Sequence, residues 1–158
     1  MEIHMAKDNF EERQFDATAI NLIAVYDKVL QIMRGEIPLP EVVELFLTNY
    51  CHFACPFCRC NRYHGDESQY LDYSSLSSLL DELSNKGVNT LEMGGGGEPL
   101  EHPQIKEILS RLVRDDFRIG LITNGNMLIE NNTLCDLLIH CGDWIRFSVD
   151  AVTDDVYR

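Results

Sequence analysis

Positive charge is scarce in this chain: 13 Lys and Arg stand against 26 Asp and Glu in 158 residues, a formal net charge of −13. No basic run occurs, which argues against a sequence-independent grip on nucleic acid or anionic lipid, so neither is expected as a partner. A long apolar run is missing as well. The most apolar early stretch, Ile20 to Met33, is broken by Asn21, Asp27, Lys28 and Gln31 and is too short to cross a bilayer. The N-terminus, MEIHMAKDNFEERQ, is acidic and polar where a secretory signal needs a basic start and an apolar stretch. There is no internal repeat, no low-complexity tract, and neither of the phosphate-cradling patterns G-x-x-x-x-G-K-[ST] and G-x-G-x-x-G in its proper context. What is present, 45% apolar and 25% charged residues, is the composition of one acidic globular domain with a core.

Six cysteines could form a disulfide framework, but that reading belongs with a secretory signal and a small loop-rich domain. Neither feature is here. The expected compartment is therefore a reducing cytoplasm, where clustered cysteines hold metal more often than each other.

Residues 1–40 read as a leader and one amphipathic helix. From Asp16 onward Leu22, Val25, Tyr26, Val29, Ile32 and Met33 recur at helical spacing, and Gly35, Pro38 and Pro40 close the pattern. The helix is expected to cap one end of a core. Residues 41–158 form the main domain. Strands are expected at Val42–Asn49, Thr90–Met93, Arg118–Thr123 and Trp144–Val149. Helical stripes fill the intervals: Leu76, Leu79, Leu80 and Leu83, stopped by Gly87; Ile105, Ile108, Leu109, Leu112 and Val113, entered through Pro103; Leu134, Leu137, Leu138 and Cys141. Alternating strands and helices define an α/β fold with parallel strands, and right-handed crossovers would gather the strands' C-terminal ends at one edge. The cysteine cluster, the four glycines with Glu98, Asn124, Ser148 and Asp150 all fall at that edge, where such sheets bind ligands.

In NYCHFACPFCRC, Cys51, Cys55 and Cys58 are spaced C-x3-C-x2-C, with Cys60 two residues on. Three thiolates within eight residues can curl around an iron–sulfur cube and leave one iron without a protein ligand. A tetrahedral zinc would need a fourth ligand, which Cys60, His52 or His64 could supply. Gly94 to Gly97 permit backbone conformations and close approaches that other residues resist. Ser148 and Asp150, two apart on one expected strand, point the same way. T-N-G at Thr123 to Gly125 also reads as ordinary turn chemistry. Cys135 and Cys141 lie on or beside an apolar stripe and read as buried, inert thiols. His52 is expected to shape the cysteine loop, whereas His4, His64, His102 and His140 form no ligand spacing.

The cysteine triplet with Phe57 before its last member, the run Gly96-Gly97-Glu98-Pro99, the T-N-G segment and the R-F-S-V-D-A of Arg146 to Ala151 together resemble the radical S-adenosylmethionine (radical SAM) superfamily. The look is closest to its peptide- and cofactor-maturing branch. The resemblance runs from about Glu41 to the end and implies a partial (β/α) barrel. It implies that Cys51, Cys55 and Cys58 hold a [4Fe–4S] cluster whose open iron is chelated by S-adenosylmethionine. An electron from the cluster would then cleave the sulfonium and give a 5′-deoxyadenosyl radical that abstracts hydrogen from a substrate, with a flavodoxin or ferredoxin as electron donor. The implied cofactor-binding residues are Gly95, Gly96, Gly97, Glu98 and Pro99 around the methionine portion, Glu98 offsetting its ammonium; Phe57 near the adenine; and Asn124, Ser148 and Asp150 toward the carboxylate and ribose. Cys60 falls outside the triplet and reads as a spare thiol. The family core has six β-α units and only four strands are countable here, so a fragment of a longer enzyme is expected, with its substrate contacts elsewhere. A non-catalytic iron–sulfur or zinc-binding module is the alternative.

Overall fold

A computed structural model describes residues 25–60, 69–129, 131–151 and 153. The chain divides into two compact units, Met1–Pro38 and Leu39–Arg158. In the first unit, α1 spans Tyr26–Met33, and none of its residues is buried. The expected turns of that helix before residue 25 lie outside the described residues.

The second unit is a four-stranded parallel sheet in the order β1-β2-β3-β4, with β1 at Val43–Leu45, β2 at Thr90–Met93, β3 at Arg118–Thr123 and β4 at Gly142–Phe147. Between them run α2 (Tyr73–Asn85), α3 (Ile105–Arg114) and α4 (Asn132–Cys141). Spatial order equals chain order, so each β-α unit adds its strand beside the last, as in an opened (β/α) barrel. The expected α/β class with parallel strands is what the chain adopts.

Period two on the strands and the helical stripes build one core. Leu91 and Met93 of β2, with Ile119 and Leu121 of β3, join Leu76, Leu80 and Leu83 of α2, Ile108, Leu109 and Leu112 of α3, and Leu134 and Leu138 of α4. Each such leucine stabilises the fold by roughly 2 kcal/mol relative to an exposed one. The helix starts are specified locally. Asp72 caps α2, its Oδ1 accepting from the Ser74 and Ser75 N–H groups at 3.0 Å each. These bonds hold its carboxyl well below the usual carboxylate range. On the exposed side, Arg111 of α3 donates to Ser77 Oγ of α2 at 2.8 Å and pairs with Asp81 and Asp115.

Two strands differ from expectation. The first was expected over 42–49, but the parallel ladder ends at Leu45. Beyond it the chain turns to pair antiparallel with the returning segment: Thr48 bridges Tyr70, Leu71 N–H donates to Leu47 O at 2.8 Å, and Asn49 N–H donates to Gln69 O at 3.0 Å. The fourth strand begins two residues earlier than expected, directly at the end of α4, and ends at Phe147. Ser148 still donates its N–H to Thr123 O at 2.9 Å, but Ser148 and Asp150 follow the strand and do not share it.

Candidate functional site

The C-terminal ends of the strands surround a cavity of about 240 Å³. Four separate stretches reach it. The loop after β1 brings Cys51, Phe53, Cys55, Phe57 and Cys58; the loop after β2 brings Gly95, Gly96, Gly97 and Glu98; the end of β3 brings Ile122, Thr123 and Asn124; the segment after β4 brings Ser148 and Asp150. Of the metal- and cofactor-binding residues implied by the resemblance, Pro99 alone is not at the cavity wall. It is buried at the start of a 3₁₀ turn, Pro99–Glu101, where its fixed φ and missing N–H suit the first position. Phe53 and Ile122 were missed. Alternation along β3, with Ile119, Leu121 and Thr123 buried on one side, marks Ile122 as facing the other way.

The glycines have a more specific reason than ligand approach. A Cβ at Gly97 would lie 1.9 Å from the Tyr50 carbonyl oxygen, and one at Gly96 2.2 Å from Asn49 Oδ1. The missing side chains let the β2 loop press against the backbone that leads into Cys51. Gly97 N–H donates to Thr48 O at 2.9 Å, and Glu98 N–H to Tyr50 O at 2.8 Å. The cysteine and glycine loops are thus fastened to each other at backbone level, and one wall of the cavity fixes the next.

Glu98 also ties the walls together. Its side chain is buried and its two oxygens accept from its own chain: Oε1 from Thr123 Oγ1 at 2.6 Å and Leu100 N–H at 3.2 Å, Oε2 from Asn124 N–H at 2.7 Å. These bonds make it a brace between the loops after β2 and β3, at the wall of the same cavity. Burial pushes its carboxyl above the ordinary glutamate value, outweighing the hydrogen bonds that pull the other way. Asn124, held through Oδ1 by Asn126 N–H at 2.9 Å, aims Nδ2 at Cys51 Sγ, 3.8 Å away.

The cysteine loop itself is tightly turned, with Cys58 N–H donating to Cys55 O at 3.1 Å. Among the described residues no disulfide forms, and all six cysteines are free. Burial, opposed by a bond from Phe53 and reinforced by Glu101, Glu98 and Cys55, raises the Cys51 thiol, so binding a metal there must release its proton. Cys141 is buried and pushed up to about 11, the environment of an inert thiol. Cys135 points its sulfur at Leu128 O, 3.7 Å away. Cys60 is not at the cavity wall. His102 is a structural residue: Nδ1 accepts from Gln104 N–H at 3.1 Å, which leaves Nε2–H to donate to Leu71 O at 2.9 Å.

Among the described residues no three His, Cys, Asp or Glu side chains converge on one ion, and His64, one of the ligands expected for a zinc, lies outside the described residues. Cys51, Cys55 and Cys58 instead line one cavity together, beside a glycine wall. That arrangement fits a body larger than one ion, gripped on one side and open on the other.

A cavity lined by three cysteines and a glycine loop thus opens at the C-terminal edge of a parallel β-α sheet, in a barrel-type fold. The family follows from the comparisons: the Radical SAM superfamily model matches residues 45–158, and the chain belongs to that superfamily. The superfamily's cofactors are a [4Fe–4S] cluster and S-adenosylmethionine. An S-adenosylmethionine-dependent nucleotide dehydratase of Selenomonas ruminantium is 26% identical over 110 residues, covering 70% of this chain and 39% of that protein. A tungsten-containing aldehyde ferredoxin oxidoreductase cofactor-modifying protein of Pyrococcus furiosus is 27% identical over 111 residues, covering 68% of this chain and 30% of that protein. The chain therefore spans well under half the length of these relatives. The structure of BtrN in complex with AdoMet and 2-DOIA superimposes with a TM-score of 0.58 at 19% identity, covering 76% of this chain and 51% of that one, a likeness of fold.

Proposed function

We propose that this chain is part of a radical SAM enzyme in which Cys51, Cys55 and Cys58 hold a [4Fe–4S] cluster and the surrounding loops receive S-adenosylmethionine. The observation that carries this reading is the convergence of three thiols, a glycine wall and two further strand ends on one cavity. When bound and reduced, the cluster supplies the electron that cleaves the sulfonium of S-adenosylmethionine. The protein's own residues do the holding. Gly95, Gly96 and Gly97 offer backbone groups at the wall beside Cys51, and Glu98 keeps that wall and Asn124 in register. Ser148 and Asp150 stand where polar groups of the cofactor would be met, with exposed Phe57 at the rim as a surface for its adenine. The substrate is an organic molecule whose C–H bond is broken, in the peptide- or cofactor-precursor class by the look of the sequence motifs. A flavodoxin or ferredoxin supplies electrons, in a cytoplasmic setting. In chain order residues 1–40 are read as a leader and helix that precede this core, which is taken to begin at residue 41.

Anaerobic reconstitution with iron and sulfide tests the reading, with about four irons per chain and a visible charge-transfer band expected. Cys55→Ala should abolish that band, and Cys135→Ala should leave it intact. Equal loss in both would remove the ligand assignment. Formation of 5′-deoxyadenosine under reductant, measured on the full-length protein, separates a catalyst from an inert metal module.

A further inference from the structure

No motif marks Glu101 and it is not at the cavity wall, yet its side chain is only 5% exposed. It ends the 3₁₀ turn that follows the glycine loop. One carboxylate oxygen accepts from the His52 backbone N–H at 3.0 Å, and the other contacts Nδ1 of the same histidine. His52 directly follows Cys51 in the chain, so this carboxylate reaches across 49 positions of sequence to grip the first cysteine's neighbour. On the other side of Cys51, the Tyr50 carbonyl accepts from Glu98 N–H. Both flanks of one cysteine are therefore tied to the same short segment, Glu98 to Glu101.

The grip has two points, and they restrain different motions. Shifting the peptide plane between Cys51 and His52 breaks the backbone bond; swinging the ring breaks the Nδ1 contact. A buried carboxylate is costly unless its oxygens are occupied, and here both are occupied by one residue. Cys55 and Cys58 share a local turn, whereas the bonds that flank Cys51 come from a distant loop.

We propose that Glu101 is a positioning residue of the metal-binding loop: by holding His52 at backbone and ring, it sets the direction in which Cys51 presents its sulfur. The inference rests on the cluster-binding reading only for the identity of the metal group. Its test uses Glu101→Gln, which keeps one acceptor oxygen, and Glu101→Met, which fills the space with none. Both remove the charge, so the difference between them isolates the acceptor. In the metal-free protein, alkylation of Cys51 by iodoacetamide, mapped by mass spectrometry, should rise about tenfold in Glu101→Met. That factor corresponds to the loss of one charge-assisted hydrogen bond. Glu101→Gln should lie between it and the parent, and Cys135 should be unchanged. After reconstitution, iron transfer to a chelator should follow the same order. Gln and Met variants that behave alike, or a rise at Cys135 equal to that at Cys51, would overturn the proposal. Should the parent take up no iron while the alkylation order holds, the positioning role stands and the cluster reading falls.

Discussion

Glu98 carries bonds that its motif does not reveal. Its place beside the glycines was legible, but its partners are set by β3, a strand that sequence proximity does not bring near. Removing it strands the Thr123 hydroxyl and the Leu100 and Asn124 N–H groups in a buried setting. Glu98→Ala should therefore cost about 3 kcal/mol, read as a lower urea midpoint, and Glu98→Gln should recover about half of that through its one remaining oxygen. The sign of the pH effect follows from burial. The folded carboxyl sits above its ordinary value, so the native state binds its proton more readily than the unfolded chain does. Stability contributed at this site is thus present below the unfolded value and falls as pH rises through the folded one. Urea midpoints across that window should decline in the parent relative to Glu98→Gln. Glu101 escaped sequence reading for a similar reason: its role depends on a contact 49 residues away.

At the level of elements, β2 and β3 were readable to the residue because turn chemistry ends both, four glycines in one case and Asn124-Gly125 in the other. The limits of β1 and β4 were not, because long-range pairing decides them. Leu47 and Thr48 have the composition of a strand continuing onward, but the returning residues 69–71 capture their backbone groups. The shift at the start of β4 has a packing cause at Gly120. A Cβ there would lie 2.3 Å from the Trp144 ring, at the register irregularity between Ile119 and Gly120. Gly120→Ala should lose about 2 kcal/mol by overpacking, and the loss should shrink in a Trp144→Ala background, where the ring no longer occupies the space. Thermal or urea unfolding of the four chains in that cycle measures the coupling directly.

For the whole molecule, alternation of strand and helix marked the architecture, and three spaced cysteines marked a loop that lines the cavity at one edge of the sheet. The acidic excess has its own consequence. With 26 acidic and 13 basic groups, the compact state repels itself, and added salt screens that repulsion. The melting temperature should rise as sodium chloride is brought from about 0.01 M to about 0.15 M, where the screening distance shrinks from roughly 30 to 8 Å. A fall over that range would mean that the specific ion pairs of Arg111 and Arg118 outweigh the general repulsion.

The antiparallel tie between Thr48 and Tyr70 closes a circuit. The excursion that carries the thiols departs from and comes home to one spot, where Thr48 Oγ1 also donates to Gln69 O at 2.9 Å and His102 clasps the Leu71 carbonyl. With entry and exit knotted at one place, the excursion begins and ends without drawing on β1, whose ladder stops at Leu45.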